Sequence, residues 1–195
     1  MRREELYKIF CDIPTLHTER LTLRGMRSQD AEDMYRYASR ADVTKYLLWS
    51  PHHSLSYTRE YLKYVERRYS LGDFFDWAIV NKADGKMIGT CGFAKIDTEN
   101  QVGELGYVLN PEYHGRGIAT EAAREVMHFG FETLGLHRIE ARFMEKNDSS
   151  RRVMERLGMS FEGFARESVF VKGRYVTVGK YAILSKDFLN FKKEE

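Results

Sequence analysis

Cysteine is scarce in this chain: Cys11 and Cys91 are the only two among 195 residues. That is too few for a disulfide framework, and neither stands in a CxxC spacing that would hold a metal. Both read as reduced thiols, and no metal is expected. An excess of one charge is also missing. With 31 basic and 29 acidic side chains the formal net charge is +2, without the basic stripe of a dedicated nucleic-acid binder. No run approaches the ~20 apolar residues of a membrane span. The start, Met1-Arg2-Arg3-Glu4-Glu5, has a basic pair but lacks the apolar stretch of a signal peptide. A soluble cytoplasmic protein is expected, with neither nucleic acid nor membrane as a partner. Only three prolines occur, and no Pro/Gly/Ser tract or internal repeat marks a domain boundary. What remains is 43% hydrophobic and 13% aromatic content, ample for one buried core. A single domain over residues 1–195 is expected, with its core over about 15–185.

Apolar periodicity orders this chain into elements. Leu21-Thr22-Leu23 alternates like a strand, and Ser28 reads as the cap of a helix carrying Asp30 and Glu32 in its first turns. A second helix fits residues 56–70, with Thr58, Tyr61, Leu62, Val65 and Tyr69 on one side. Strands follow over 74–81 and 87–96 about Asp84-Gly85, then over 102–109, where Pro111 stops the run. Ala119, Ala122, Ala123, Val126 and Met127 form a small-residue helical face, with Gly135 as a stop. A strand over 138–145, a short helix over 149–157 closed by Gly158, and a hairpin about Lys172-Gly173 complete the order. The expected class is α/β (α+β): a mixed, mostly antiparallel sheet flanked by helices.

The segment Tyr113-His114-Gly115-Arg116-Gly117-Ile118-Ala119-Thr120 lies between a strand and the small-residue helix. Glycine at 115 and 117 removes the Cβ atoms that would hold a ligand off the backbone. The first amides of the helix have no internal partners and can point at an anion. Arg116 adds positive charge. A tight structural turn that binds nothing is the competing reading. A P-loop needs Lys-Ser or Lys-Thr after its second glycine, and Ile118-Ala119 stands there instead. A dinucleotide fingerprint would need glycine where Thr120 stands, so nicotinamide binding is the weaker option.

At these residues the sequence resembles the GNAT acetyltransferase superfamily, and within it the Rim-type ribosomal-protein N-terminal acetyltransferases. The resemblance runs from Thr18-Glu19-Arg20-Leu21-Thr22-Leu23-Arg24 to about Leu184. It rests on Glu104-Leu105-Gly106-Tyr107, on residues 110–122, and on Asn147-Asp148-Ser149-Ser150 ahead of Arg156-Leu157-Gly158-Met159. It implies the GNAT fold, acetyl-CoA as cosubstrate and an amine acceptor, most naturally a protein N-terminal alanine-like amine. A polyamine, amino acid or antibiotic is the alternative, and a non-catalytic CoA-binding module the more distant one. The resemblance places the cofactor against Leu109, His114, Gly115, Arg116, Gly117, Ile118, Ala119, Thr120 and Asn147. It also implies that strand 102–109 splays from its neighbour near Val108 and Leu109, where an amide binds the thioester carbonyl. Two departures stand out. His114 occupies the place of the family's Arg/Gln, and Met154 that of a tyrosine which protonates the departing thiolate.

Acetyl transfer to an amine needs a proton acceptor, donors for the developing oxyanion and an acid for the thiolate. Glu104 is the candidate base, set in an otherwise apolar strand with Gly106 and Val108 on its own face. Such a setting suits a carboxylate that takes a proton near neutral pH; a glutamate paired with an arginine of the neighbouring strand is the other reading. Ser150 is the candidate acid given Met154, although Asn147, Asp148, Ser149 and Ser150 also suit a helix cap. Trp49, in the loop after the first helix, and Tyr107 are candidate acceptor-pocket residues. An exposed strand or helix would support a homodimer.

Overall fold

The computed structural model describes residues 2–191, with backbone alone for the last three. The chain runs through α1 (Arg3–Phe10), β1 (Leu16–His17), β2 (Leu21–Arg24), α2 (Ala31–Ala38), α3 (Ala41–Thr44) and α4 (Leu55–Ser70). Next come β3 (Phe75–Asn81), β4 (Met87–Asp97), β5 (Val102–Leu109), α5 (Ile118–His128) and β6 (Arg138–Met144). The last elements are α6 (Asp148–Arg156), β7 (Ser160–Val171), β8 (Arg174–Leu184) and α7 (Ser185–Phe191). All strands join one eight-stranded sheet in the order β1-β2-β3-β4-β5-β6-β8-β7. Only β5 and β6 pair in parallel. The result is a single α/β domain.

Strand alternation assigns each face of the sheet its own helices. On β3, Trp77 and Ile79 enter a core shared with α1, α5 and α6, built from Phe10, Ala122, Val126 and Met154 among others. Ala78 and Val80 enter a second cluster with Met34 and Tyr37 of α2 and Leu62 and Val65 of α4. Leu105 and Leu109 belong to the α5 face, and Val108 packs on the α2/α4 cluster. Glu104 and Gly106, in step with Val108, therefore turn toward α2 and α4.

Helix entry differs from expectation at Ser28. A 3-10 turn over Ser28–Asp30 precedes α2, and Asp30 anchors it. The Asp30 carboxylate accepts the Arg27 amide at 2.9 Å and is gripped by Arg24 at 2.7 and 2.8 Å. The Ser28 amide donates to Glu66 Oε1 at 2.8 Å, joining that turn to α4. At α4 itself Ser54 is the cap, accepting the Tyr57 amide at 3.1 Å.

The feature that positions the site is a divergence of strands. β5 and β6 are in register only from Val102↔Arg138 to Leu105↔Ala141. Beyond that point β5 stays with β4 as far as Leu109↔Gly89, while β6 follows β8 to Met144↔Val178. The wedge thus opens at Gly106, earlier than the expected Val108. Its cause lies next door: β4 has an extra residue between Phe93 and Lys95, opposite Leu105 and Glu104, and such bulges bend and twist a strand. The Lys172 ammonium donates to Thr44 O at 2.5 Å, tying the β7–β8 hairpin to α3 on the α2/α4 side.

Candidate functional site

The turn into α5 has the form an anion site requires. Gly115 and Gly117 take positive φ of 75° and 74°, and Gly117 is the N-terminal residue bordering the helix. The first intrahelical bond there runs from the Glu121 amide to Gly117 O, so the amides of Ile118, Ala119 and Thr120 precede the ladder. Gly115, Arg116 and Gly117 are exposed; Ile118 is buried in the core and Ala119 packs against it. The Thr120 hydroxyl is buried without a protein partner. A β-carbon at Gly115 would meet nothing within 4 Å, so open space lies beside the turn. This cradle fits a phosphate group: free amides, a spare hydroxyl and no Cβ in the way. A groove running on from it is lined by Arg20, Arg124 and Arg156 together with Glu19, Glu121 and Glu125, so its walls carry both signs of charge.

Sequence reasoning missed the strut behind this turn. Arg20 donates to Arg116 O at 2.8 Å and pairs with Glu121 Oε2 at 2.5 Å. The Thr18 hydroxyl and Arg20 amide donate to Glu121 Oε1 at 2.5 and 3.0 Å. These bonds hold the Glu121 carboxyl below its ordinary range against the opposing effect of burial. An acidic residue in a helix's first turn was the signal; its partner is 101 residues away, beyond any local pattern. His114 folds back on β5, with Nε2 3.0 Å from Leu109 O, and Arg116 lies over the Tyr113 ring at 5.6 Å.

The wedge collects the remaining candidates. The Asn110 amide donates to Ile88 O at 2.7 Å, so by alternation the Leu109 amide turns from β4 toward the opening. Across it, Asn147 begins α6, its Oδ1 accepting the Ser150 amide at 3.3 Å. Tyr107 Oη donates to Ser150 O at 3.0 Å and lies 3.1 Å from Ser150 Oγ, and its phenol is pushed up by burial. Met154 is 1% exposed and belongs to the core.

On the opposite face, Glu104 Oε2 lies 3.1 Å from Arg142 Nη2. Of the two readings of Glu104, the pairing with an arginine of the neighbouring strand is the one seen here, an ion pair across the mouth of the wedge with the arginine contributed by β6. Asp76, which sequence reasoning passed over, shares this face. It stands opposite Gly92 on β4, and Gly92 is itself opposite Gly106 on β5. Its Oδ1 is buried without a protein partner. Burial raises its carboxyl to about 7, against the Thr90 hydroxyl and the Trp77 amide, which lower it. Tyr69 donates its hydroxyl to Asp76 O at 2.5 Å and packs in the α2/α4 cluster with Tyr37 and Tyr61, each phenol pushed up by its own burial. Trp49 continues this wall: its ring lies 5.3 Å from His52, which is 5.6 Å from Tyr61. Among the described residues no helix is long and apolar enough to cross a membrane, and no cluster of three or more metal-ligating side chains occurs.

Known proteins share this fold. Residues 20–160 match the family model described as an acetyltransferase (GNAT) domain. A Bacillus licheniformis protein described as the uncharacterized N-acetyltransferase p20 is 36% identical over 174 residues, 89% of this chain and 98% of that one. The crystal structure of a ribosomal-protein-S5-alanine acetyltransferase from Vibrio fischeri superposes with a TM-score of 0.74 at 25% identity, covering 90% of this chain and 98% of that one. The spermidine N(1)-acetyltransferase of Escherichia coli K12 is also 25% identical, over 185 residues and 91% of each chain.

Proposed function

From the premise that this chain belongs to the GNAT family and is an acetyl-CoA-dependent N-acetyltransferase, we propose that it acetylates the α-amine of a protein N-terminus. The observation carrying this reading is the wedge beyond Leu105 and Ala141, which opens to both faces of the sheet. Acetyl-CoA supplies an activated acyl group, its pyrophosphate on the amides of Ile118 to Thr120 and its thioester arm between Leu109 and Asn147. The acceptor approaches from the α2/α4 face, past Trp49. Glu104, on that face, takes one proton from the ammonium. The nitrogen then attacks the thioester carbonyl carbon while the Leu109 amide meets the charge growing on its oxygen. As the C–N bond forms and the C–S bond breaks, the sulfur leaves with the electron pair. It receives a proton from Ser150, and the second proton lost by nitrogen restores that hydroxyl.

Alanine-like N-terminal peptides, spermidine and free amino acids, each offered with acetyl-CoA, test the acceptor when thiol release and product mass are followed. The expected result is kcat/KM at least about tenfold higher for a peptide, a difference of about 1.4 kcal/mol in transition-state binding. Preference for spermidine would transfer the reading to a small-molecule acetyltransferase, which the similarity to the spermidine enzyme favours.

Ser150→Ala removes the hydroxyl beside Tyr107. It should lower kcat by about a hundredfold, the lower end of the usual range for a positioned acid, with acetyl-CoA affinity nearly unchanged. An unaltered kcat would take Ser150 out of the chemistry. Met154→Tyr should not restore activity to that variant, because position 154 is packed in the core and a larger side chain there costs about 1–3 kcal/mol.

A further inference from the structure

Five residues far apart in sequence converge beside the wedge without a role in the chemistry above. Asp76 interrupts the apolar strand Phe75–Asn81, on the α2/α4 face of the sheet. Gly92, its neighbour on β4, makes its position tenable, since a β-carbon at 92 would stand 2.3 Å from Asp76 Cα and 2.8 Å from Asp76 Oδ1. Gly106, one strand further, would place a β-carbon in open space. Asp76 Oδ1 therefore leans over Gly92, and open space begins one strand further, at Gly106, the first unpaired residue of the wedge. Strands lie about 4.8 Å apart, so the carboxylate oxygen stands about one strand spacing from that opening.

Two polar atoms on this face lack protein partners: Asp76 Oδ1 and the hydroxyl of Tyr37, which is 1% exposed. The Tyr69 hydroxyl donates to Asp76 O at 2.5 Å, and Tyr37 and Tyr61 pack in the same α2/α4 cluster as Tyr69. A buried acceptor left unpaired costs about 1–3 kcal/mol, which a fold tolerates where a ligand completes the set. The complement of one carboxylate oxygen and phenol oxygens, walled by aromatic rings, is a compact cation with several N–H donors. A primary ammonium has three such donors and gains from aromatic faces as well.

We propose that Asp76 is the anionic seat of the acceptor's ammonium group, with Tyr37 and Tyr61 as its walls and the open space at Gly106 as the way by which the amine reaches the thioester. This seat rests on the proposed approach of the acceptor from the α2/α4 face, but not on the acceptor being a peptide.

The test is a ligand-observed NMR titration of the CoA-saturated protein with butylammonium and with butanol, its uncharged counterpart. Wild type should bind butylammonium at least about thirtyfold more tightly than butanol. Asp76→Asn should lose about thirtyfold in butylammonium affinity, the scale seen when one partner of a desolvated charge pair is removed. Its affinity for butanol and CoA should stay within about twofold, a result that also reports an intact fold. Equal binding of the two probes by wild type would overturn the proposal, as would equal butylammonium binding by wild type and Asp76→Asn. If peptides are not acetylated but butylammonium binding still depends on Asp76, the peptide reading fails and this seat stands.

Discussion

Gly117→Val is expected to erase the stabilisation that acetyl-CoA confers on this protein. At about 100 times its dissociation constant the cosubstrate adds roughly 2.7 kcal/mol, a rise in Tm of about 5–11 °C for a domain of this size. The variant should show a rise of about 1 °C or less. Gly117 stands at φ 74°, where a β-branched side chain is a steric outlier, so the turn must rebuild and the three amides after it lose their common direction. Crowding is not the cause: the β-carbon itself would meet only Arg20 Nη2, at 3.6 Å. A control separates backbone strain from ligand contact. Gly85 holds φ 70° in the β3–β4 turn with nothing within 4 Å of its β-carbon. Gly85→Ala should therefore incur a similar loss of about 1–2 kcal/mol and keep the whole response to acetyl-CoA. A full response from Gly117→Val would mean that the phosphates bind elsewhere.

That turn was legible in sequence because its chemistry is local. Two glycines, a strand before and a small-residue helix after are all visible within ten residues, and β5 has its expected bounds for the same reason. α1 escaped notice because Leu6 and Phe10 become a helical face only once Phe75, Trp77 and Phe129 are there to receive Phe10. β1, with two residues, and α3, with four, are too short for any period to register. The wedge was expected, but its starting point depends on the extra residue between Phe93 and Lys95, and no pattern in β4 marks a bulge. Asp76 is a different case. An acidic residue inside Phe74-Phe75-Asp76-Trp77-Ala78-Ile79-Val80 carries the same signal that singled out Glu104, and the rule was applied to one strand only. Arg142 illustrates the opposite limit: alternation put it on the right face of β6, but only the sheet order shows that this face meets Glu104.

Glu104→Gln should lower kcat by about a hundred- to a thousandfold at pH 7.5, within the range for loss of a positioned general base, and leave acetyl-CoA affinity within about twofold. The substitution keeps size and hydrogen-bonding capacity while removing the proton acceptor. The deficit should shrink as pH rises toward the acceptor's own pKa, because a growing share of amine then arrives already deprotonated and needs no base. A purely structural Glu104 predicts something else. Its pair with Arg142 joins side chains 26% and 49% exposed, and such pairs contribute about 0.2–1 kcal/mol. Losing it would then lower Tm by about 1–4 °C with turnover intact and no change in the pH profile. Arg142→Met completes the comparison by breaking the same ion pair while leaving the carboxylate in place. If the pair is the whole role of Glu104, both variants lose the same stability and neither loses activity. If Glu104 takes the proton, only Glu104→Gln falls by orders of magnitude. Full turnover in Glu104→Gln would pass the proton to another carboxylate on this face, Asp76. Its carboxyl, raised by burial to about 7, would then produce a fall in kcat/KM as pH drops below 7.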